Sequence, residues 1–286
     1  MRNKGSFLLL ITAVLWGSAF VFMSQAMDYI GPFTFVFVRF LFGSLSLLLL
    51  LLAKRGTFKK DKKAFFRSVK AGFLCGLPLC AGMIFQQMGI TDNSAGKTAF
   101  LTSMYIVLVP LINIFYGSKI QKQDIIAILL AVVGFYFLCV KEAFQIEKSD
   151  WVTLMGALSF AAQIVFIDHY GKDVDPVVQS WISQSITCIV GLVLMLSRES
   201  FSLSGVQMSL LPILYCALVA GSFADTLQII GQKSCRANVA SLIMSLESVF
   251  GALFGFVFLH EMLSIKEIVG CVFIFAGVLY SQWKEK

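Results

Sequence analysis

Long apolar runs separated by short polar segments dominate the pattern along the 286-residue chain. An α-helix rises 1.5 Å per residue, so about 20 apolar residues are needed to cross the hydrocarbon core of a bilayer. Ten runs approach or exceed this length, and each of them predicts a transmembrane helix. The predicted spans cover residues 7–27, 33–53, 71–90, 96–117, 124–140, 151–170, 176–196, 208–230, 238–259 and 266–283.

The composition agrees with a chain that lies mostly in lipid. Hydrophobic residues make up 58% of it and charged residues only 14%, against about 25% charged residues in a soluble domain. Arg2 and Lys4 precede the first run as in a signal peptide, but that run continues to about Met27 and further spans follow. We therefore expect an uncleaved first span and no soluble domain that could bind nucleic acid.

The distribution of Lys and Arg predicts the orientation of the spans. Of the 23 basic residues, 17 fall on the side of the N-terminus, five fall on the other side, and Arg39 lies within a span. The positive-inside rule then places both termini in the cytoplasm of a multi-pass protein of the cell membrane. The loop after the sixth span, with three Asp residues and only Lys172, does not itself favour that side.

The two halves of the chain repeat one pattern. Spans three to five superpose on spans eight to ten at an offset of 142 residues, which places Gln86 on Gln228 and Tyr105 on Glu247. Five is an odd number of spans, so the second half must enter the membrane in the opposite sense. The sequence thus predicts two inverted five-helix repeats, 1–145 and 146–286, around a central cavity near the membrane midplane, the arrangement common in secondary transporters.

Three ionisable residues lie inside predicted spans, where a charge is costly unless it faces a cavity or a partner. Glu247 lies near the midplane and is expected either to bind a proton, a cation or a substrate amine, or to hold helices together. Asp225 is expected either to line the cavity or, slightly favoured, to pair with Lys233 or Arg236. Arg39 is expected either to bind an anionic group or, slightly favoured, to extend toward the outer headgroups.

Uncharged polar and aromatic residues supply the remaining predicted contacts. Tyr105 is the predicted midplane neighbour of Glu247, and Trp16 lies too deep in the first span to be an ordinary interfacial tryptophan. Each polar side chain taken alone is a common helix–helix contact, but several spans contribute one. The predicted substrate- or ion-binding residues are Glu247, Tyr105, Trp16, Gln87, Gln163, Asp225, Gln228 and Arg39.

Nothing in the sequence predicts catalysis, a metal site or a cofactor. The seven Cys residues form no C-x-x-C pair, and His169 and His260 are the two histidines. There is no nucleotide-binding loop and no hydrolase motif, so we expect a protein that is not an enzyme. Uphill transport by this chain would have to draw on a gradient of an ion or of the substrate.

Three motifs give the chain a family resemblance. They are Trp16 to Phe20 in the first span, Phe37 to Phe40 in the second, and Ala237 to Phe250 with His260-Glu261 in and after the ninth. Together they resemble the EamA-type members of the drug/metabolite transporter superfamily over nearly the whole chain. The resemblance implies ten helices, two EamA-like halves with both termini cytoplasmic, and a cavity lined mainly by spans one, three, four, six, eight and nine.

The same resemblance implies export or exchange of amino acids, nucleotide-related metabolites or drugs. The chain departs from the family pattern at Ser248, where Pro often follows the ninth-span Glu, and at Tyr105, which replaces a carboxylate. We therefore expect a secondary-active transporter of small metabolites, with protons bound at Glu247 as one coupling scheme. A flippase for lipids or lipid-linked sugars and a non-transporting sensor or scaffold are the alternatives. The fifth and tenth spans, the most uniformly apolar, are expected at the periphery or against another subunit, which leaves a homodimer open.

Overall fold

The computed structural model describes residues 2–54, 62–118, 120–139, 147–259 and 264–284, and their regular structure is entirely helical. The helices that correspond to the predicted spans are labelled α1 to α10. Three of them, α4, α8 and α9, consist of several segments. Their bounds are Arg2–Ala26 (α1), Pro32–Ala53 (α2), Lys62–Asp92 (α3), Ala95–Ser103 and Tyr105–Ile114 (α4), Lys122–Cys139 (α5), Lys148–Tyr170 (α6), Pro176–Arg198 (α7), Leu210–Leu214, Tyr215–Phe223 and Ala224–Gln232 (α8), Ala237–Met244 and Glu247–Leu259 (α9), and Ile265–Lys284 (α10).

Within the described residues, eight helices are long and apolar enough to cross a membrane, and they confirm eight of the ten predicted spans. The helices α5 and α10 coincide with the fifth and tenth predicted spans, whose membrane crossing stays a prediction. A short additional helix, Leu203–Met208, connects α7 to α8. The basic segment before the third span is in part helical, because α3 begins at Lys62, and its residues 55–61 lie outside the described ranges.

Local sequence signals explain where several helices begin. Pro32 and Pro176 occupy first-turn positions in α2 and α7, where a missing N–H costs nothing. The Asp175 carboxylate caps α7 by accepting hydrogen bonds from the backbone N–H groups of Val177 and Val178, at 2.8 and 3.3 Å. The Ser94 hydroxyl caps α4 in the same way by accepting from the Lys97 N–H.

A carboxylate from another helix caps α2. Glu199, the residue after α7, accepts hydrogen bonds from the backbone N–H groups of Phe33 and Thr34 at 2.9 and 2.8 Å and from the Thr34 hydroxyl at 2.6 Å. These N–H groups have no partner within α2, and the N-terminal end of a helix favours a negative charge. Gly31 leaves the necessary room, since a Cβ there would overlap the Glu199 carboxyl group. The end of α7 is thereby fixed to the start of α2.

The helices α5 and α10 pack against each other along glycine contacts. A Cβ on Gly134 would lie 2.6 Å from the Gly270 carbonyl oxygen, and a Cβ on Gly277 would lie 2.7 Å from the Ala127 carbonyl oxygen. Small residues of this kind let two helix backbones approach closely in a membrane. The opposite faces of both helices expose large apolar side chains, among them Leu129 and Val272. These exposed faces agree with the predicted position at the periphery or against another subunit.

The remaining helices surround the centre of the molecule in cross-packed pairs. The helix α1 packs on α8 and α9, whereas α6 packs on α3 and α4. The helix α2 packs on α7 and α8, and α7 also packs on α3. The interrupted helices α4, α8 and α9 each pack in one or more of these pairs, so the irregular backbone lies among packed helices, away from lipid.

The interruptions of α4 and α9 occupy equivalent places. In α4 the Met104 N–H bonds to the Leu101 carbonyl, and in α9 the Leu246 N–H bonds to the Ile243 carbonyl, three residues back instead of four. Met104 and Leu246 are 142 residues apart, the offset of the predicted repeat. The residues that open the second segments are Tyr105 and Glu247.

Candidate functional site

A cavity of about 30 Å³ lies at the centre of the molecule between α1, α2, α3, α4, α6, α8 and α9. This volume accommodates about one or two water molecules. These are the six helices that the family resemblance implies, together with α2. The lining residues are Trp16, Ala19, Phe20, Met23, Arg39, Leu79, Met83, Gln86, Thr102, Tyr105, Phe160, Gln163, Ile164, Gln228 and Glu247.

Glu247 is the carboxylate of this cavity, and its side chain is almost fully buried, with 3% exposed. The Ser103 hydroxyl approaches the Glu247 Oε1 atom at 3.4 Å across the boundary between α4 and α9. Tyr105 also lies within electrostatic reach of this carboxylate, although its hydroxyl makes no well-aligned hydrogen bond within the described residues. The predicted proximity of Tyr105 and Glu247 is present in the structure.

The local sequence explains how Glu247 is held at the start of a helix segment. The Ser245 hydroxyl donates to the Leu242 carbonyl at 2.8 Å, and the Ser248 hydroxyl donates to the Ser245 carbonyl at 2.7 Å. These bonds satisfy carbonyl groups at an irregular turn, where the regular helical pairing is lost. Ser248 stands where the family pattern often has Pro, and its hydroxyl provides a bond that Pro lacks.

Glutamine amides form a second polar group in the cavity. Gln163 on α6 and Gln228 on α8 face each other, with each amide nitrogen 3.2 Å from the amide oxygen of the other. Gln86 on α3 donates to the Thr102 hydroxyl at 3.1 Å. Amides offer both donors and acceptors, so these side chains can bind many polar groups without carrying a charge.

Trp16 forms the aromatic wall of the cavity. Its indole Nε1–H donates to the Ala220 carbonyl of α8 at 3.0 Å, which fixes the plane of the ring. The next residue, Gly17, brings α1 against α9, because a Cβ there would lie 2.7 Å from the Glu247 carbonyl oxygen. The deep position of Trp16 therefore reflects contacts to two helices of the other half of the chain.

Arg39 carries a buried positive charge into the cavity, with 3% of the residue exposed. Its Nε–H donates to the Cys216 carbonyl at 3.0 Å, and its guanidinium carbon lies 5.2 Å from the centre of the Phe40 ring. Cys216 belongs to the π-helical part of α8, a widened helix form that is often found at functional sites. The favoured prediction that Arg39 extends to the outer headgroups is wrong, since its donors are used in the interior.

Asp225 does not line the cavity, and its favoured predicted partners are wrong. Its Oδ2 atom accepts a hydrogen bond from the Gln184 amide of α7 at 3.1 Å. Lys233 instead donates to the Val174 carbonyl at 2.7 Å, and Arg236 forms an ion pair with Asp124 at 3.7 Å. The prediction failed because both basic side chains turn to a neighbouring loop and a helix start, about two to three helical turns beyond Asp225.

Gln87 also lies outside the cavity, although the sequence predicted it as a site residue. Its amide nitrogen is 3.2 Å from the Met27 sulfur, and the residue is 1% exposed. Gly76 of α3 faces α7, since a Cβ on Gly76 would lie 2.8 Å from Ser183 Cα. The cavity-facing stripe of α3 instead contains Met83 and Gln86.

Six of the eight predicted residues thus lie together at the cavity: Glu247, Tyr105, Trp16, Gln163, Gln228 and Arg39. Sequence reasoning missed Gln86 and Thr102 as lining residues. The repeat gave a usable signal for Gln86, because its equivalent at the 142-residue offset is the predicted residue Gln228. Thr102 carried no such signal. Within the described residues, no group of three His, Cys, Asp or Glu side chains is placed to hold a metal ion.

The model of the EamA-like transporter family matches the chain over residues 3–140 and 148–282. The chain belongs to the EamA-like transporter family. This membership is consistent with the drug/metabolite transporter superfamily and makes the chain a multi-pass membrane protein of the transporter type.

Relatives of this EamA-like transporter come from bacteria and archaea. An uncharacterized transporter of Archaeoglobus fulgidus is 32% identical over 273 residues, which cover 95% of the chain and 83% of that protein. The uncharacterized transporter YoaV of Bacillus subtilis is 23% identical over 271 residues, covering 93% and 92%. A solved crystal structure has the same fold, with a TM-score of 0.77 over 98% of the chain and 96% of its own length, at 15% identity.

Proposed function

We propose that the protein is a secondary-active transporter of small polar metabolites that works by alternating access in the cell membrane. The observation that carries the proposal is the central cavity, where the Glu247 carboxylate and the Arg39 guanidinium lie among amide and aromatic side chains. Charges buried inside a membrane protein are costly and commonly mark the path of a substrate or ion.

The proposal includes two inverted repeats, which several observations support. The family model matches twice, once in each half of the chain. In such a repeat, α1 corresponds to α6, α3 to α8 and α4 to α9. The packing of α1 on α8 and α9 then corresponds to the packing of α6 on α3 and α4, and both sets of contacts are present. The same correspondence leaves the pairs α2 with α7 and α5 with α10 unchanged. Contacts of this kind are expected of a two-fold pseudo-symmetry axis.

The interruptions of α4 and α9 support a binding site at the repeat interface. Transporters with inverted repeats commonly bind their substrates where helices are broken near the midplane. Tyr105 and Glu247 open the second segments of α4 and α9, and both line the cavity. Glu247 is our proposed anchor for a positively charged substrate group or a proton, and Arg39 is the proposed anchor for an anionic group.

One ion pair lies at the start of α4 and another lies close to its end, which supports alternating opening of the two sides. Lys97 of α4 pairs with Asp150 of α6 at 2.7 Å. Arg236, just before α9, pairs with Asp124 of α5 at 3.7 Å, and Asn113 near the end of α4 is connected to Asp124 through Asn238. The cavity has room for about one or two water molecules, so we expect a substrate to enter only when one side opens. We call these ion pairs the outer latch (Lys97–Asp150) and the inner latch (Arg236–Asp124).

Both termini are proposed to be cytoplasmic. The acidic loop after α6 was the weak point of the charge count, and a basic residue from another loop compensates it. Lys233 reaches this loop at the Val174 carbonyl. Burial lowers the pKa of Lys233, while the nearby carboxylates of Asp175 and Asp173 partly offset this effect. The loop therefore shares its side of the membrane with the basic loop between α8 and α9.

Small molecules that carry both a cationic and an anionic group, such as amino acids, fit this combination of charges best. A test begins with purified protein and a thermal-unfolding screen of amino acids, nucleosides, sugars and cationic drugs, since a ligand of the folded state raises its stability. Any compound that raises the unfolding temperature is then measured for uptake into proteoliposomes.

The expected result is saturable uptake of at least one stabilising compound by wild-type protein and little uptake by Glu247→Gln. Stabilisation without uptake would support the sensor or scaffold alternative instead. Movement of a fluorescent lipid between leaflets, with no uptake of any soluble compound, would support the flippase alternative. Either result would overturn the proposed function.

A further inference from the structure

A polar cluster lies behind the Trp16 wall, outside the cavity, where α2, α7 and α8 meet. Its central pair consists of Asp225 and Gln184, which are 4% and 1% exposed. Gly43 of α2 closes the cluster, because a Cβ at this position would overlap the Gln184 Oε1 atom. The Ser222 hydroxyl donates to the Gly43 carbonyl at 3.0 Å and seals the cluster against the α2 backbone.

Two oxygen atoms of this pair have no hydrogen-bond donor among the residues that the structure describes. The Gln184 amide nitrogen donates to Asp225 Oδ2, but Asp225 Oδ1 and Gln184 Oε1 are both buried without a partner. A buried polar atom without a partner costs about 1–3 kcal/mol, and more when it belongs to a charged group. A single hydrogen atom bound to one of these two oxygens could be donated to the other, and both atoms would then have a partner.

A proton on Asp225 supplies that donor. A neutral carboxyl group has one O–H donor, and an amide beside it has a free carbonyl oxygen. The carboxyl and amide groups can then exchange two hydrogen bonds, with the amide N–H on one carboxyl oxygen and the carboxyl O–H on the amide oxygen. Glutamine is well suited to this pairing because it binds the neutral acid with both of its polar atoms.

The number of free acceptors favours a proton over a metal cation in this cluster. Two oxygen atoms lack a donor, whereas Mg²⁺ and Ca²⁺ take six or more oxygen ligands. Arg39 of α2 is the charged side chain within electrostatic reach of Asp225. The Trp16 N–H of α1 lies nearby but is directed to the Ala220 carbonyl. Glu247 of α9 lines the cavity, whereas Asp225 and Gln184 do not.

We infer that Asp225 and Gln184 form a proton-binding site, distinct from Glu247, in which the Asp225 carboxyl group shares its proton with the Gln184 amide oxygen. The proton is taken from water and returned to it, so no other co-reactant is needed. A role for this proton as the coupling ion rests on the proposed transport function. An anionic substrate group bound to Arg39 would neutralise the guanidinium charge near Asp225, and Asp225 would then take up a proton. The site itself does not depend on transport.

Infrared difference spectroscopy of the purified protein tests the site without any substrate. The carbonyl stretch of a protonated carboxyl group is resolved from that of a carboxylate, so a pH step reports the proton directly. We expect a protonated-carboxyl band in wild-type protein that titrates with pH, is lost in Asp225→Asn and is retained in Glu247→Gln. Loss of the band in Glu247→Gln and its full retention in Asp225→Asn would overturn the inference.

A second pair of variants keeps the test decisive if Asp225→Asn folds poorly. Gly43→Ala places a methyl group on the Gln184 oxygen and should displace the amide, which shifts the frequency of the Asp225 band by weakening its hydrogen bond. Gly96→Ala is the matched control, since a Cβ at Gly96 meets no atom within 4 Å, and it should leave the band unchanged. An unshifted band in Gly43→Ala would show that Gln184 does not share the proton. A failed proposed function would leave all of these spectra unaffected.

Discussion

Two neighbouring glutamines on α3 have different surroundings although both are buried. Gln86 faces the cavity and donates to Thr102, whereas Gln87 points to the Met27 sulfur at the interface with α1. One residue along a helix turns a side chain by about 100°, which is enough to move it from a binding surface to a packing surface. The pair therefore provides a matched comparison of binding against packing.

We expect Gln86→Leu to weaken binding of a ligand from the thermal-unfolding screen about tenfold, which corresponds to about 1.4 kcal/mol for one lost hydrogen-bonding group. Gln87→Leu should leave binding within about twofold of wild type, because its amide contacts no cavity residue. Titration of each variant by isothermal calorimetry measures the difference. Equal losses in the two variants would argue against the cavity as the binding site.

At the scale of elements, the capping of α2 by Glu199 joins two helices from different halves of the chain. Glu199→Gln removes the negative charge and one of the two acceptor oxygens, so α2 loses part of its cap. We expect the free energy of unfolding to fall by about 1–2 kcal/mol. Reversible denaturation in detergent micelles measures the change.

Asp92→Asn is the control for this prediction. Asp92 is an exposed carboxylate at the end of α3, so removing its charge should change the stability by less than about 0.5 kcal/mol. If Glu199→Gln and Asp92→Asn had the same free energy of unfolding, any loss would reflect the removal of a negative charge in general. The hydrogen bonds of Glu199 to the start of α2 would then contribute nothing measurable.

The sequence was sufficient for the elements but not for the partners of their polar side chains. Apolar runs predicted the helices because every backbone group in lipid must bond within its own helix. The repeat predicted that Tyr105 and Glu247 meet, since both occupy equivalent positions. Neither pattern could show that Asp225 pairs with Gln184, which is 41 residues earlier in the chain, because that contact depends on how α7 packs on α8. The prediction of Gln87 as a cavity residue was wrong because two faces of α3 carry buried polar side chains. The sequence does not show which of these faces points to the cavity.

At the scale of the whole molecule, the two latches predict opposite effects of similar substitutions. With Met23→Cys as a reporter in the cavity, Asp150→Asn should raise labelling by an impermeant thiol reagent several-fold from the outer side. Asp124→Asn should raise labelling from the cytoplasmic side. The first change breaks the ion pair between α4 and α6, and the second breaks the ion pair between α5 and the start of α9. Labelling of sealed right-side-out and inside-out vesicles measures both rates.

The pair Asp168–Lys172 provides the control for the latches. These residues form an ion pair at 3.7 Å within one end of α6, so the pair cannot hold two helices together. Asp168→Asn should leave labelling unchanged on both sides. If Asp150→Asn and Asp124→Asn both raised labelling from the same side, the two ion pairs could not act as opposite latches.

The glycine contacts between α5 and α10 have a consequence for the biosynthesis of the protein. The helix α5 ends at Cys139, whereas its partner α10 begins only at Ile265. The Gly134 surface of α5 therefore lacks this partner until the ribosome has synthesised α10. The time that the ribosome needs for the intervening residues sets a lower limit on how soon the two helices can pack, whatever the intrinsic speed of helix packing.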